Sequence, residues 1–408
     1  MRTKKFSNGL WLVGLFGLCS WSCQVTSSGG GTGGSQSGGT GGSQSGGAGG
    51  NQSGGAGGSQ SSGAGGGQSS CGGGSDKTFD PTKLPCDIYA DDGGPCVAAH
   101  STVRQLRKDY SGPLYQVRVG GSASGTGGAT TNIGFGADGF AKASDHDAAC
   151  GTDPCTISII YDQSGNGNDL TVAPPGGKKT TGDNEAKASA LPITISGHSV
   201  YGEHNPIGVG YRNNDATKTA TGDNPQTVYM VASGGYQNTA CCFDYGNAER
   251  NSRDNGEGTM EAVYFGSCTA WNKGGGDGPW VMGDLEDGLW AGDTNPYNGN
   301  TSLTDPYTYV VGLVKGEKAS PSCNDGNGHW VIKIGNGQSG SLAKPFDGKR
   351  PSSKYNPMRK EGAIILGTGG DNSNGGQGNF FEGVMTTHYS SDAADDAVQA
   401  NIVSVYGK

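Results

Sequence analysis

Trp280-Val281-Met282-Gly283-Asp284-Leu285-Glu286-Asp287-Gly288-Leu289-Trp290 is the stretch around which the rest of the chain is organised. Side chains on a strand alternate between its two faces. Read as one extended run, the stretch places Met282, Asp284 and Glu286 on one face, and Val281, Gly283 and Leu285 on the other. Like charges on one face repel, so a fold that needed only stability would avoid the pair. A site that holds a carboxylate nucleophile beside an acceptor for a substrate hydroxyl would use it. The alternative is a solvated edge strand.

On either side of this stretch lie short apolar runs rich in β-branched and aromatic residues: Thr156–Tyr161, Leu191–Ile195, Thr227–Ala232, Tyr307–Lys315, Trp330–Ile334, Ala363–Gly367 and Phe381–Thr387. Gly, Asn, Asp, Ser and Pro cluster between them. Many short strands separated by turn signals predict an all-β fold, a β-sandwich of the concanavalin or jelly-roll kind. Only the last stretch reads as helical. Ser391 is placed to cap it, Asp392, Asp395 and Asp396 stand near its positive end, and Val398, Ile402 and Val405 recur at helical spacing.

The N-terminal part reads differently. Met1–Cys23 has a basic start (Arg2, Lys4, Lys5), an apolar run from Leu10 to Leu18 and a small-residue end. That is the layout of a secretory signal, with an apolar run far shorter than the roughly 20 residues of a membrane span. Ser22-Cys23 leaves two endings open, free secretion or a lipid anchor on Cys23. Residues 24–75 carry no charged side chain and contain an eight-residue repeat: GTGGSQSG at Gly31–Gly38 recurs at Gly39–Gly46. Such a composition buries no apolar surface and predicts a disordered tether with a reach of roughly 40 Å. Residues 76–408 are then the folded part, expected to form one domain. The formal charge of the 408 residues is −9, which argues against a nucleic-acid partner.

An exported chain makes its cysteines candidates for disulfides. Cys86/Cys96 and Cys150/Cys155 each bracket a turn-rich loop and suit local pairs. Cys268 with Cys323 follows by elimination, and Cys71 lies in the tether. The adjacent Cys241 and Cys242 either bond to each other, closing an eight-membered ring, or pair elsewhere. No Cys/His spacing resembles a zinc site, the six His are scattered, and neither a metal nor another cofactor is expected. The oxygen-rich run Asp162 to Asn168 lacks the spacing of a calcium loop and reads as a structural turn.

Longer motifs then fix a likeness. They include Cys86-Asp87-Ile88-Tyr89, Cys96-Val97-Ala98-Ala99-His100-Ser101, Ile160-Tyr161-Asp162-Gln163-Ser164-Gly165-Asn166-Gly167-Asn168 and Gly210-Tyr211-Arg212-Asn213-Asn214. They continue through Cys241-Cys242-Phe243-Asp244-Tyr245-Gly246-Asn247-Ala248-Glu249, Gly276-Asp277-Gly278-Pro279-Trp280 and Gly369-Gly370-Asp371-Asn372-Ser373-Asn374-Gly375. In that order they resemble the catalytic domain of glycoside hydrolase family 54, the α-L-arabinofuranosidase B family, from about Cys86 to the C-terminus.

The resemblance implies a retaining enzyme that releases terminal α-L-arabinofuranose from arabinan or arabinoxylan side chains. Carried over by motif, Glu286 is the expected nucleophile and Asp371 the expected acid/base. Asp284, Trp271, Gly370 and the residues at 287 and 288 are expected at the sugar, with Cys241-Cys242 as a vicinal disulfide lying against it. A retaining glycosidase needs two such carboxyls across the scissile bond. Where the family has Glu-Asn-Asn-Leu-Phe, this chain has Glu286-Asp287-Gly288-Leu289-Trp290, which puts sugar preference in question. Family members commonly carry a C-terminal β-trefoil, whereas this sequence stops at Lys408. A monomer is expected, with plant polysaccharides containing arabinose as partners. The competing readings are a surface carbohydrate-binding module without catalysis, and an exo-glycosidase of other preference, a β-xylosidase or galactofuranosidase.

Overall fold

Six of the seven β-branched and aromatic runs become strands of the sandwich because each can bury one or both faces against a second sheet; the run at Leu191–Ile195 instead pairs with His198–Tyr201 in a separate, largely unburied two-stranded sheet. The computed structural model describes residues 77–303, 307–319, 326 and 328–408. The expected signal, the repeat-bearing tether, Cys71 and Cys323 lie outside the described residues. The described residues belong to one compact unit, Gly66–Lys408.

Two antiparallel sheets form a β-sandwich. One runs in the order Cys96–Ser101, Gly378–Thr386, Gln226–Ser233, Tyr309–Glu317, His329–Asn336, Ser339–Lys349, with Glu203–Asn205 joining the start of Gly378–Thr386. The other has ten strands. From one edge these are Leu289–Trp290, Trp280–Asp284, Glu261–Gly266, Asp244–Ala248 and Ala363–Leu366, and the sheet continues through Tyr211–Asn213, Leu170–Val172, Cys155–Ile160 and Tyr115–Val119 to Ala129–Ile133.

Val228, Val231, Leu313, Val314 and Ile332 from the first sheet share a core with Tyr245, Val263, Phe265, Val281 and Ile364 from the second. The sheets approach closely at Gly312, where a Cβ would meet Val263 Cγ1 at 2.9 Å and Val281 Cγ1 at 3.1 Å. A larger residue there would have to part the sheets. The terminal helix Asp392–Tyr406 packs on the first sheet, capped by Ser391 Oγ, which accepts from the Ala394 N–H at 3.2 Å. Asp395 does more than face the helix dipole. It is fully buried and accepts from Lys315 Nζ at 2.8 Å and Lys333 Nζ at 2.7 Å.

Three expectations need correction. The terminal helix is joined by two short ones, Pro85–Asp91 and Ala143–Cys150. The second carries too few apolar residues to show helical spacing. Next, Trp280–Trp290 is not one extended run. The strand ends at Asp284, and the chain reverses through Glu286 and Asp287, both at positive φ (60° and 52°), before Leu289–Trp290 returns beside it. Nor is Trp280–Asp284 a solvated edge: every residue in it is buried. Finally, Cys268, expected in a bridge, is a free thiol. It packs with Cys242, Tyr264, Trp280 and Met282, where a thiol behaves as a small apolar group. The other expected pairs, Cys86–Cys96, Cys150–Cys155 and Cys241–Cys242, are bridged.

The oxygen-rich run is a turn, as its composition suggests. Asp162 Oδ1 accepts from the N–H groups of Ala99 and Ser164, and its Oδ2 from those of Asn168 and the Ser164 hydroxyl. His100 is buried, bonded to Tyr245 and to the carbonyl of Asn168.

Candidate active site

The reversal at Glu286-Asp287 builds the site. Two residues at positive φ match the twist of a tight hairpin, closed here by the Leu285 N–H donating to the Gly288 carbonyl at 3.2 Å. Glu tolerates that conformation less readily than Asn or Gly. The turn is held by Asp284, whose Oδ1 accepts from the Glu286 N–H at 3.1 Å. The two carboxyls therefore meet through a turn rather than along a strand face.

One cleft of about 400 Å³ is lined by all nine expected site residues: Glu286, Asp371, Asp284, Asp287, Gly288, Gly370, Trp271, Cys241 and Cys242. Trp271, 54% exposed, stands at its rim. Asp287 is also exposed, while Glu286 and Asp284 are buried. Gly288 has no room for a side chain, because a Cβ would run into the Trp290 indole nitrogen and lie 2.9 Å from the Tyr355 hydroxyl. Two of the three departures from the family pattern in this stretch are thus linked: the indole at 290 takes the space a side chain at 288 would need.

Asp371 rides on a short loop, Gly369–Ser373, closed by the Gly369 N–H donating to the Ser373 carbonyl at 2.8 Å. Asp371 Oδ1 accepts from the Ser373 N–H at 2.9 Å, and its carbonyl from the Lys178 N–H at 2.9 Å. Behind the loop, buried Asp183 accepts from the side chains of Asn372 (3.4 Å) and Asn374, with Lys179 Nζ at 3.5 Å. Burial pushes the Asp183 carboxyl up to about 6.

The same loop fixes the disulfide. The Ser373 carbonyl accepts from the Cys242 N–H at 3.3 Å, and the Cys241 carbonyl from the Gly375 N–H at 3.0 Å. Cys242 Sγ lies 3.5 Å from Asp284 Oδ2. A disulfide sulfur has no proton to donate, so this is a contact that presses the plate against the carboxylate. Ligand atoms of Cys241, Cys242 and Asp284 come within 4.8 Å of one another. Bridged cysteines offer no thiolate, however, so the donor set does not suit a metal.

Three site groups were not singled out for a role in the sequence, although each stands in a quoted motif. Asp244 neighbours Asp284, and Glu249 neighbours Glu286; among the described residues both carboxyl oxygens of Asp244 and Oε2 of Glu249 have no donor. Asp244 and Glu249 are both 0% exposed. Arg212 is buried and donates to the carbonyls of Gly369 (3.3 Å), Gly370 (2.7 Å) and Glu249. The carboxyls thus outnumber the one buried guanidinium they surround. Burial first, then the neighbouring Glu249 and Asp284, pushes the Glu286 carboxyl far up. Burial raises Asp284 to about 7, and it raises Asp244 and Glu249 as well. Burial lowers Arg212 to about 10, which leaves it charged at neutral pH. Asp244 stands among aromatic and small residues and Glu249 follows Ala248, whereas Arg212 begins a polar run; sequence alone reads all three equally well as turn residues.

Comparison with known proteins agrees with this geometry. Residues 85–407 match the family model described as "Alpha-L-arabinofuranosidase B, catalytic". Alpha-L-arabinofuranosidase B of Emericella nidulans is 50% identical over 327 residues, 78% of this chain and 61% of that protein. A Trichoderma koningii protein described as arabinofuranosidase/B-xylosidase is 52% identical over 325 residues, 78% of this chain and 62% of that one. A crystal structure of an arabinofuranosidase complexed with arabinofuranosyl-alpha-1,2-xylobiose superposes with a TM-score of 0.72 at 50% identity, covering 78% of this chain and 64% of that one. The chain thus spans about three fifths of the length of the curated relatives it matches. With the match running across nearly all of the sandwich, the chain belongs to the α-L-arabinofuranosidase B catalytic family, glycoside hydrolase family 54.

Proposed function

We propose that this protein is an exported retaining α-L-arabinofuranosidase that removes terminal α-L-arabinofuranosyl residues from arabinan or arabinoxylan side chains. The observation that carries the reading is the meeting of Glu286, Asp371, Trp271 and the Cys241–Cys242 plate in one cleft. In the proposed double displacement, Glu286 attacks the anomeric carbon while Asp371 gives a proton to the departing oxygen. Asp371 then takes a proton from the water that cleaves the glycosyl-enzyme. Asp284 accepts from a sugar hydroxyl, and the disulfide and Trp271 take the apolar face of the furanose. Gly370 lets the main chain pass close to the sugar, since a Cβ there would lie 2.5 Å from Glu286 Oε2.

The solved relatives support the substrate class. One is named as a complex with an arabinofuranosyl-xylobiose, and another as a family 54 mutant soaked with 4-nitrophenyl α-L-arabinofuranoside. The relative named as both arabinofuranosidase and B-xylosidase favours a second activity on β-xylosides, and Asp287 stands exposed in the same cleft. Export is supported by three disulfides. In this reading the leader and the Gly-rich segment tether residues 76–408 to the cell surface or release them. The test is hydrolysis of 4-nitrophenyl α-L-arabinofuranoside, β-D-xyloside and β-D-galactofuranoside by the full chain, with the first-formed anomer followed by proton NMR. Arabinose released with retained configuration is expected. An inactive protein that still binds arabinan would make it a binding module, and an inverted product would remove Glu286 as nucleophile.

A further inference from the structure

Two buried glutamates elsewhere in this protein hold cations, Glu382 with Arg104 (2.6 Å) and Glu261 with Lys360 (2.9 Å) and Arg350 (3.0 Å), while buried Glu203, which faces no second carboxyl, has no donor among the described residues. Glu249 is as deeply buried, and among the described residues no cation pairs with its carboxyl. Arg212, the cation beside it, gives its N–H groups to main-chain oxygens, including that of Glu249 itself, and none to the Glu249 carboxyl. Glu249 Oε1 has the Thr259 hydroxyl at 2.5 Å, but that hydroxyl also reaches the Gly256 carbonyl at 2.7 Å and has one proton for the two. Glu249 Oε2 is left facing Glu286. Both Oε2 atoms converge on Gly370, where a single added Cβ would strike both. Two carboxyls turned toward each other in a buried site need a proton between them.

We propose that Glu249 is the proton partner of Glu286: the two carboxyls hold one proton between them, and Glu249 carries it while Glu286 attacks. The proposal rests on the reading of Glu286 as nucleophile. Glu249 is a positioning residue, since it acts through Glu286 and not on the sugar. As the bond from the anomeric carbon to the leaving oxygen breaks, the leaving oxygen takes its proton from Asp371. A lone pair of Glu286 forms the new bond to carbon. The shared proton settles on Glu249, whose O–H then donates to the carbonyl oxygen of the glycosyl ester. On hydrolysis, water oxygen bonds to the anomeric carbon, its proton passes to Asp371, and the electron pair of the ester bond returns to Glu286. The shared proton is neither gained nor lost over the cycle. In the resting site the proton stays on the Glu286 side, where burial and Asp284 disfavour charge; it is the cationic transition state facing Glu286 that draws the negative charge onto it during attack. The ionisable groups around the pair are Arg212, Asp254, Asp284 and Asp371.

The test uses full-chain protein with its glutamate side-chain carboxyls labelled with carbon-13. Carboxyl NMR titration is run on wild type, Glu249→Gln and Glu249→Ala, and the Glu286 signal is assigned by its loss in Glu286→Gln. The wild type is expected to show Glu286 and Glu249 titrating as a coupled pair that keeps one proton through neutral pH. Glu249→Gln supplies a fixed N–H donor of the same shape. It should leave a single Glu286 step at lower pH, keep kcat within about tenfold and move the acid limb of kcat/KM down. Glu249→Ala should lower kcat by about 100-fold and move that limb up. Glu286 titrating alone in the wild type, unmoved by Glu249→Gln, overturns the proposal. So does an equal activity loss in both variants with an unmoved acid limb. An inactive wild type would defeat the functional reading, while the titration still decides the pair.

Discussion

Two groups of buried carboxyls, on neighbouring strands of one sheet, are treated in opposite ways. Glu261 opens the strand Glu261–Gly266 and accepts from Lys360 and Arg350. Burial alone would raise its carboxyl, but the two cations hold it below the usual range. Asp244 and Glu249, in and just beyond the adjacent strand Asp244–Ala248, face Asp284 and Glu286 instead. There burial and like charge act together, and all four carboxyls are raised. Neutralising a buried charge with a cation fixes structure. Neutralising it with a proton leaves a group that can change its charge during a reaction, and perturbed groups of this kind concentrate in active sites.

The sharpest way to break this contrast is at the proton side. Glu286→Gln and Asp371→Asn should each lower kcat/KM on the arabinofuranoside by about three orders of magnitude or more. The melting temperature of Glu286→Gln should hold or rise, because the amide removes a charge that burial disfavours. A melting temperature that falls with activity would place Glu286 among the structural carboxyls. On the cation side, Lys360→Met strips one partner from Glu261 and should cost about 3–5 kcal/mol in chemical denaturation, with kcat of the folded fraction near that of the wild type. Lost activity at undiminished stability would dissolve the distinction.

The pH dependence of stability separates the groups by sign. Asp183 and Asp284 have folded pKa values raised to about 6 and about 7, above ordinary unfolded carboxyls near 4. Their folded forms bind more protons in that window, so their contribution is greatest below pH 4 and is lost as pH rises through 6–7. For Asp183 alone the loss is about 3 kcal/mol. Glu261 and Asp395 are lowered. Their contribution is present above the unfolded value and is lost as pH falls below 4. Denaturation from pH 3 to 8 should show Asp183→Asn flattening only the slope above pH 4. The smallest expected effect lies at the plate. The Cys241→Ser, Cys242→Ser double variant should raise KM about fivefold, near 1 kcal/mol, with a smaller change in melting temperature. A large stability loss with unchanged KM would make the disulfide structural.

Much of this protein is legible in its sequence because it depends on local pattern. Apolar runs of β-branched and aromatic residues between turn residues mark the strands Gln226–Ser233, Tyr309–Glu317 and His329–Asn336, and a serine cap with helical spacing marks Asp392–Tyr406. The motifs around Glu286 and Asp371 point to the cleft before any coordinates. The pattern misplaces the way Asp284 and Glu286 meet. A strand period predicts a shared face, but the chain turns at Glu286, and the side chain of Asp284 makes that turn. Pairing by elimination likewise misplaces Cys268, which the apolar cluster beneath the cleft takes as a thiol.

The sequence by itself determined several of the strand segments and that a sandwich would bury most of them, and through its family resemblance which two carboxyls are expected to do the glycoside chemistry. Only the tertiary structure decided which groups stand behind those carboxyls. Asp244, Glu249, Arg212 and Asp183 become part of the site through burial and through neighbours distant in the chain. The charge a carboxyl carries is set by its surroundings in space, and no local pattern encodes them.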